Sequence, residues 1–147
     1  MSYPVEPDVI VAKLGDGAEP EVFTAVCGME GFTINETVNT SDRYRRDCAK
    51  PAAIPTRKVK VTGKAWDATG SGVINVDEFA RLQAALGIRK NWQFEFRQRD
   101  GTDNGVLLGI YEGPGVMTAK NINMSGDDGS AEVTIAGEDD ITWDPAP

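Results

Sequence analysis

The chain has 147 residues, with 15 Lys and Arg against 23 Asp and Glu for a net charge of −8, and is 40% hydrophobic and 26% charged. That is the profile of one folded domain rather than of a disordered chain. It contains no histidine, which removes His-based triads, the usual proton shuttle near neutral pH and the commonest zinc and iron ligand; the acidic balance argues against a protein that grips nucleic acid through its phosphates.

The opening MSYPVEPD is acidic and proline-bearing, unlike a secretory signal, and residues 1–8 read as an N-terminal arm. No stretch approaches the roughly 18–20 apolar residues that cross a bilayer, so a soluble protein made in a cytoplasm, with no membrane partner, is expected. Strand candidates follow at Val9–Ala12, before a Gly15-Asp16-Gly17 turn, then at Val22–Val26 and Phe32–Glu36. Cys27 and Cys48 stand apart with no CxxC or Cys/His grouping, and read as free thiols or at most one bridge. Residues 37–56 show little apolar periodicity and are expected to be a long loop, carrying Arg43, Tyr44, Arg45, Arg46, Asp47 and Lys50. A loop of that length is either a solvated flexible segment or an arm that orders on an acidic partner, such as another copy of the chain.

From Arg57 to Trp66 the residues alternate, with Val59, Val61 and Ala65 on one face and Lys58, Lys60, Thr62 and Lys64 on the other. Residues 67–78, DATGSGVINVDE, admit two readings. As an EF-hand-like calcium loop, Asp67, Thr69, Ser71 and Glu78 would be ligands, with Gly72 at the sharp turn. As a strand–turn–helix, the strand ends at Trp66, Gly70 and Gly72 turn the chain, and Asn75 with Glu78 caps a helix over about 76–86 that ends at Gly87. The residues before Asp67 are strand-like where an EF-hand needs a helix, and no second loop pairs with this one, so the capped helix is the stronger reading. Its apolar face is expected to be Phe79, Leu82 and Leu86, flanked by Val76 and Ala80.

Trp92–Arg97 and Val106–Tyr111 are expected to form a hairpin around the Asp100-Gly101 and Asn104-Gly105 turn signals, with Trp92, Phe94 and Phe96 read as core rather than as a base-stacking platform. Met117–Met124 and Ala131–Ile135 are two further strands about an Asp127-Asp128-Gly129 turn. Glu112-Gly113-Pro114-Gly115 lacks the spacing of a phosphate cradle, and the pairs Asp127-Asp128 and Asp139-Asp140 read as solvated turns. No nucleophile–base pair or other catalytic constellation is present, so neither an enzyme nor a cofactor is expected. The fold class is mainly β: a β-sandwich or half-barrel of antiparallel strands with one packed helix.

The order of these elements, with FTINETVNTS leading into the long loop, KVTGKAWDATGSGVI at the strand-to-helix passage and the Asn121–Trp143 ending, resembles the major tail tube proteins of long, non-contractile-tailed bacteriophages and related gene transfer agents. The resemblance spans roughly residues 20–145. It implies a single tail-tube domain over 1–147 that self-assembles into stacked hexameric rings, with the 37–56 loop and terminal arms reaching neighbouring copies. It also implies tape measure, tail terminator and baseplate or tip proteins as partners. The protein would reside in the virion tail, and in the host cytoplasm during assembly, with DNA passing through the lumen without specific binding. Six copies at −8 each would carry −48 per ring, a like-charged wall for DNA. A calcium-binding module at 67–78 and a type VI secretion tube protein are the alternatives.

Overall fold

A computed structural model describes residues 3–126 and 128–147. Among them, β1 (Val9–Gly15), β2 (Phe23–Ala25), β3 (Met29–Arg45) and β4 (Thr56–Val73) precede a 3-10 turn (Val76–Glu78) and α1 (Phe79–Ala85). Then come β5 (Arg89–Gln98), β6 (Val106–Ser125), β7 (Asp128–Gly137) and β8 (Thr142–Pro145). These strands make one antiparallel sheet in the order β2-β1-β5-β6-β7-β4-β3, with β8 on β6. The sheet is open, yet it curls enough for β1 and β3 to approach over the core. The expected mainly-β architecture with one packed α-helix is what the chain forms.

The core lies on the concave side of the sheet. Trp66, Trp92, Phe94, Met117 and Ile135 are its largest fully buried side chains, and the Phe94 ring sits 5.3 Å from Phe32 and 6.5 Å, edge-on, from Trp66. Trp92 and Phe94 are therefore core, as expected, while Phe96 is half-buried. Glycines make room for the bulky rings: a side chain at Gly70 would strike Phe32, and one at Gly137 would strike the Trp66 indole. The indole also donates from Nε1 to the Glu138 carbonyl at 3.2 Å. Helix α1 closes the core with Leu82 and Ala85.

Several expectations are corrected. Half of the 37–56 loop is strand: β3 runs on to Arg45, β4 starts at Thr56, and a turn links them across 46–55. Periodicity missed it because solvent covers both faces, so burial imposes no apolar alternation. β4 does not stop at Trp66 either. It continues to Val73, with Gly70 and Gly72 inside the strand, because the space they free is filled by Phe32 and by the backbone of Gly28 and Met29. The segments 106–111 and 117–124 form one strand, β6, which passes through Gly113-Pro114-Gly115. Pro114 sits where β6 changes partner from β8 to β7, a break in the ladder that suits a residue with no N–H.

The helical segment holds at both ends. Asn75 Oδ1 accepts from the Asp77 N–H, and Gly87 has φ +77. Glu78 does not close a capping box. Its Oε1 accepts from the Cys27 N–H at 3.4 Å and its Oε2 pairs with Arg81 at 2.9 Å. Val76 and Ala80 are exposed, and Phe79 is only half-buried, with the Lys120 ammonium 5.9 Å from its ring centroid. The Asp127-Asp128 turn and acidic pair fall on Asp127 and the Asp128 side chain, outside the described residues.

Candidate assembly surface

Beyond Trp66 the β3–β4 ribbon leaves the body. Residues 37–45 of β3 extend for about 30 Å at the usual rise of a strand, and every residue from 35 to 62 is exposed. Among the described residues neither edge is covered: β7 pairs with β4 only from Asp67 to Val73, and β3 pairs with β4 alone. A bulge fixes which side chains share a face. Asn39 opposes Gly63 but Thr40 opposes Val61, leaving Thr62 as the extra residue, with its hydroxyl donating to the Asn39 carbonyl at 3.1 Å.

The bulge inverts the parity that simple alternation predicts. Opposed pairs share a face, so Lys64 lies on the Trp66 side, while Ala65 joins Lys58 and Lys60 on the other. One face of the arm thus continues the core side and carries Val38, Tyr44, Val59 and Val61, which are 55%, 71%, 52% and 62% exposed. The opposite face carries Arg43, Arg45, Lys58 and Lys60 around a shallow cleft. Among the described residues none of these four cations is within salt-bridge distance of a carboxylate, whereas Arg57 reaches Asp42 at 3.8 Å and Lys64 reaches Asp140 at 3.2 Å.

Charge is strongly divided between arm and body. Residues 37–66 contain eight Lys and Arg against two Asp, a net +6, so the rest of the chain carries −14. Of the residues singled out from sequence, Arg43 and Arg45 lie on the basic face and Tyr44 on the apolar one. Arg46, Asp47 and Lys50 occupy the turn, where Asp47 Oδ1 accepts from the Ala49 N–H at 2.9 Å. Lys58, Lys60 and the apolar stripe were not singled out. The run RKVKV at 57–61 is their only signal, and its face assignment depends on the bulge.

The calcium candidates are not brought together. Asp67, Thr69 and Ser71 lie in the strand, opposed by Asn35, Thr33 and Gly31 on one side and by Ala136, Thr134 and Glu132 on the other. Extended spacing puts Asp67 and Ser71 about 13 Å apart, and Glu78 is engaged by Arg81 and Cys27. Cys27 and Cys48 are both free and exposed.

Two further features surround the body. Glu95, 5% exposed, is held by Lys13 at 3.0 Å and Arg97 at 3.1 Å, and Arg97 also donates to the Asn104 carbonyl of the β5–β6 loop. This buried carboxylate is fully partnered and holds the loop in place. Phe96, Tyr111 and Trp143 stack into an open aromatic groove flanked by Val5 and Pro7 of the N-terminal segment. Among the described residues no helix is long and apolar enough to cross a membrane.

No protein-family model and no curated protein sequence matches the chain. Solved structures do. They include the tail of an empty gene transfer agent particle with C6 symmetry, at TM-score 0.63 and 20% identity over 91% of this chain and 94% of that one. The SPP1 tail tube matches at 0.61 and 7% identity over 97% and 80% of the two chains. The PVC sheath–tube complex of an extracellular contractile injection system matches at 0.63 and 11% over 99% and 95%. The protein has the fold of these tail- and injection-tube structures.

Proposed function

We propose that this chain is a structural protein of a phage or phage-like tail, whose copies close into hexameric rings and stack into the tube that delivers DNA. The observation that carries the reading is a fold shared with tail-tube structures over nearly the whole chain, joined to a two-stranded arm that leaves the body with both edges unpaired. An open sheet with such edges is completed by pairing with further copies, and head-to-tail contacts close into rings or propagate as filaments.

In this reading residues 1–147 act as one tail-tube domain. Arg43, Tyr44, Arg45, Arg46, Asp47 and Lys50 contact neighbouring copies, and residues 1–8 form a second reaching arm. The role is non-catalytic and needs no cofactor. Tape measure, terminator and baseplate or tip proteins bind its ends, the mature location is the virion tail, and DNA crosses the lumen without specific contacts. Negative-stain electron microscopy of the concentrated protein, with mass measured in solution, tests this. Rings or tubes of uniform diameter are expected; a monomer at every concentration, even with isolated tail tips added as nuclei, overturns it.

The same fold in the PVC tube and, at TM-score 0.51, in an Hcp structure supports a second reading as an injection-system tube. Copurification with a contractile sheath subunit would favour that reading over the non-contractile tail.

A further inference from the structure

We infer that the basic face of the arm docks on the acidic end of a second copy's body, the end opposite its own arm, and that ionic strength therefore gates assembly. This rests on the self-assembly reading and names its contact.

The topology defines two ends. β4 runs from the arm's tip into the body, and in the antiparallel order β6 and β1 run the same way. The β1–β2 loop, the start of β3 and the turn after β4 consequently face away from the arm. They carry Asp16, Glu19, Glu21, Glu30 and Asp77, none of which has a cationic partner within 4.0 Å among the described residues. At the other end project Arg43, Arg45, Lys58 and Lys60, equally unpaired.

An arm of net +6 meeting another arm is repelled; meeting the far end of a −14 body, it is steered and oriented. The contact joins unlike ends, so it repeats along one axis and builds a filament of defined polarity. The Val38, Tyr44, Val59 and Val61 stripe lies on the opposite face of the ribbon and points away from the docked copy. Exposed charges are screened over about 10 Å at 0.1 M salt and about 3 Å at 1 M, so the docking step weakens as salt rises.

Cys48 in the arm's turn supplies the probe. In a Cys27→Ser background it is labelled with a maleimide–benzophenone, assembled at 50 mM NaCl, illuminated and mapped by peptide mass spectrometry. Crosslinks are expected in residues 16–22, 28–30 and 74–78 of a second copy. Light scattering should show the concentration needed for assembly rising roughly tenfold between 50 mM and 1 M NaCl, and the Arg43→Glu/Arg45→Glu/Lys58→Glu/Lys60→Glu variant should stay a folded monomer by circular dichroism. Tubes that form equally well at both salt concentrations, or from the fourfold variant, or that crosslink arm to arm, overturn the inference and leave the tube reading standing. A wild type that remains monomeric at every salt concentration overturns both.

Discussion

Trp66 is the last core residue of β4 before the arm, and its replacement by Ala should separate the body's stability from the arm's. The side chain is 2% exposed, lies over Gly113 and Gly137, and donates to the Glu138 carbonyl. A buried Trp removes up to about 250 Å² from water, about 6 kcal/mol at 25 cal/mol per Å²; Ala retains part of this, and Trp-to-Ala changes in cores cost about 3–5 kcal/mol. Glu138 is not fully buried, so water replaces the lost donor and the hydrogen bond adds little. About 4 kcal/mol is therefore expected, which in a domain of this size lowers Tm by roughly 8–16 °C. The assay is urea unfolding of the monomer by far-UV circular dichroism, with an unchanged m-value as the sign that compactness is preserved. Val61→Ala is the control. It sits on the same face of the same strand but is 62% exposed, and should cost less than about 0.5 kcal/mol. A Trp66→Ala loss below about 1.5 kcal/mol, or a Val61→Ala loss that equals it, would refute the placement of the core boundary at Trp66.

Phe79→Ala should cost only about 1–2 kcal/mol, below the range for a fully buried ring, because Phe79 is half-buried beneath Lys120; a thermal melt showing a loss above about 4 kcal/mol would contradict that exposure. The Asp16 carboxylate accepts backbone N–H groups of Ala18 and Val22, which hold its pKa below 3.8. A carboxylate with a depressed folded-state pKa stabilises above its unfolded value, and that contribution is lost as pH falls through the folded value. Asp16→Ala should therefore lower stability at pH 7, with the gap to wild type narrowing below about pH 3.8; a gap that widens on acidification would contradict this.

What could be read from the residues divides along the line of burial. Trp92-Gln93-Phe94-Glu95-Phe96 announces a strand because one face must be dry, and the helix announces itself through Asn75, Leu82 and Gly87. Only the β4 half of the arm announces itself, through the alternation of Arg57–Trp66; with no neighbour on either face, Thr37 to Arg45 need only extended backbone, and their mixed polarity reads as loop. Gly70 and Gly72 mislead for a different reason. In local sequence a glycine pair signals a turn, but these are set by a ring and a backbone from distant elements, Phe32 and Gly28. The bulge at Thr62 is hidden as well, because inserting one residue changes no composition while exchanging the faces of Ala65 and Lys64. The candidate surface was legible as a cluster of cations and illegible as a geometry.

The exposed arm also has to avoid indiscriminate pairing. A 17-residue edge strand in a ribbon that carries Val38, Val59 and Val61 on one face is a template for aggregation unless something spoils its fit to an arbitrary partner. Three features do so here. Cations alternate with the valines on β4, at Lys58 and Lys60, with Arg57 and Lys64 beyond them; the Thr62 bulge breaks the register in mid-ribbon; and Pro51 lies within the turn while Pro55 closes it. Two arms laid edge to edge would align like charges and mismatched bulges, both unfavourable. An acidic surface reverses the sign of the first term, turning the residues that forbid random association into those that select the partner. In the docking inferred above the same lysines would keep free arms apart and select the partner, so an arm whose charges were replaced by neutral polar residues would be expected to lose order in assembly before it lost the capacity to associate.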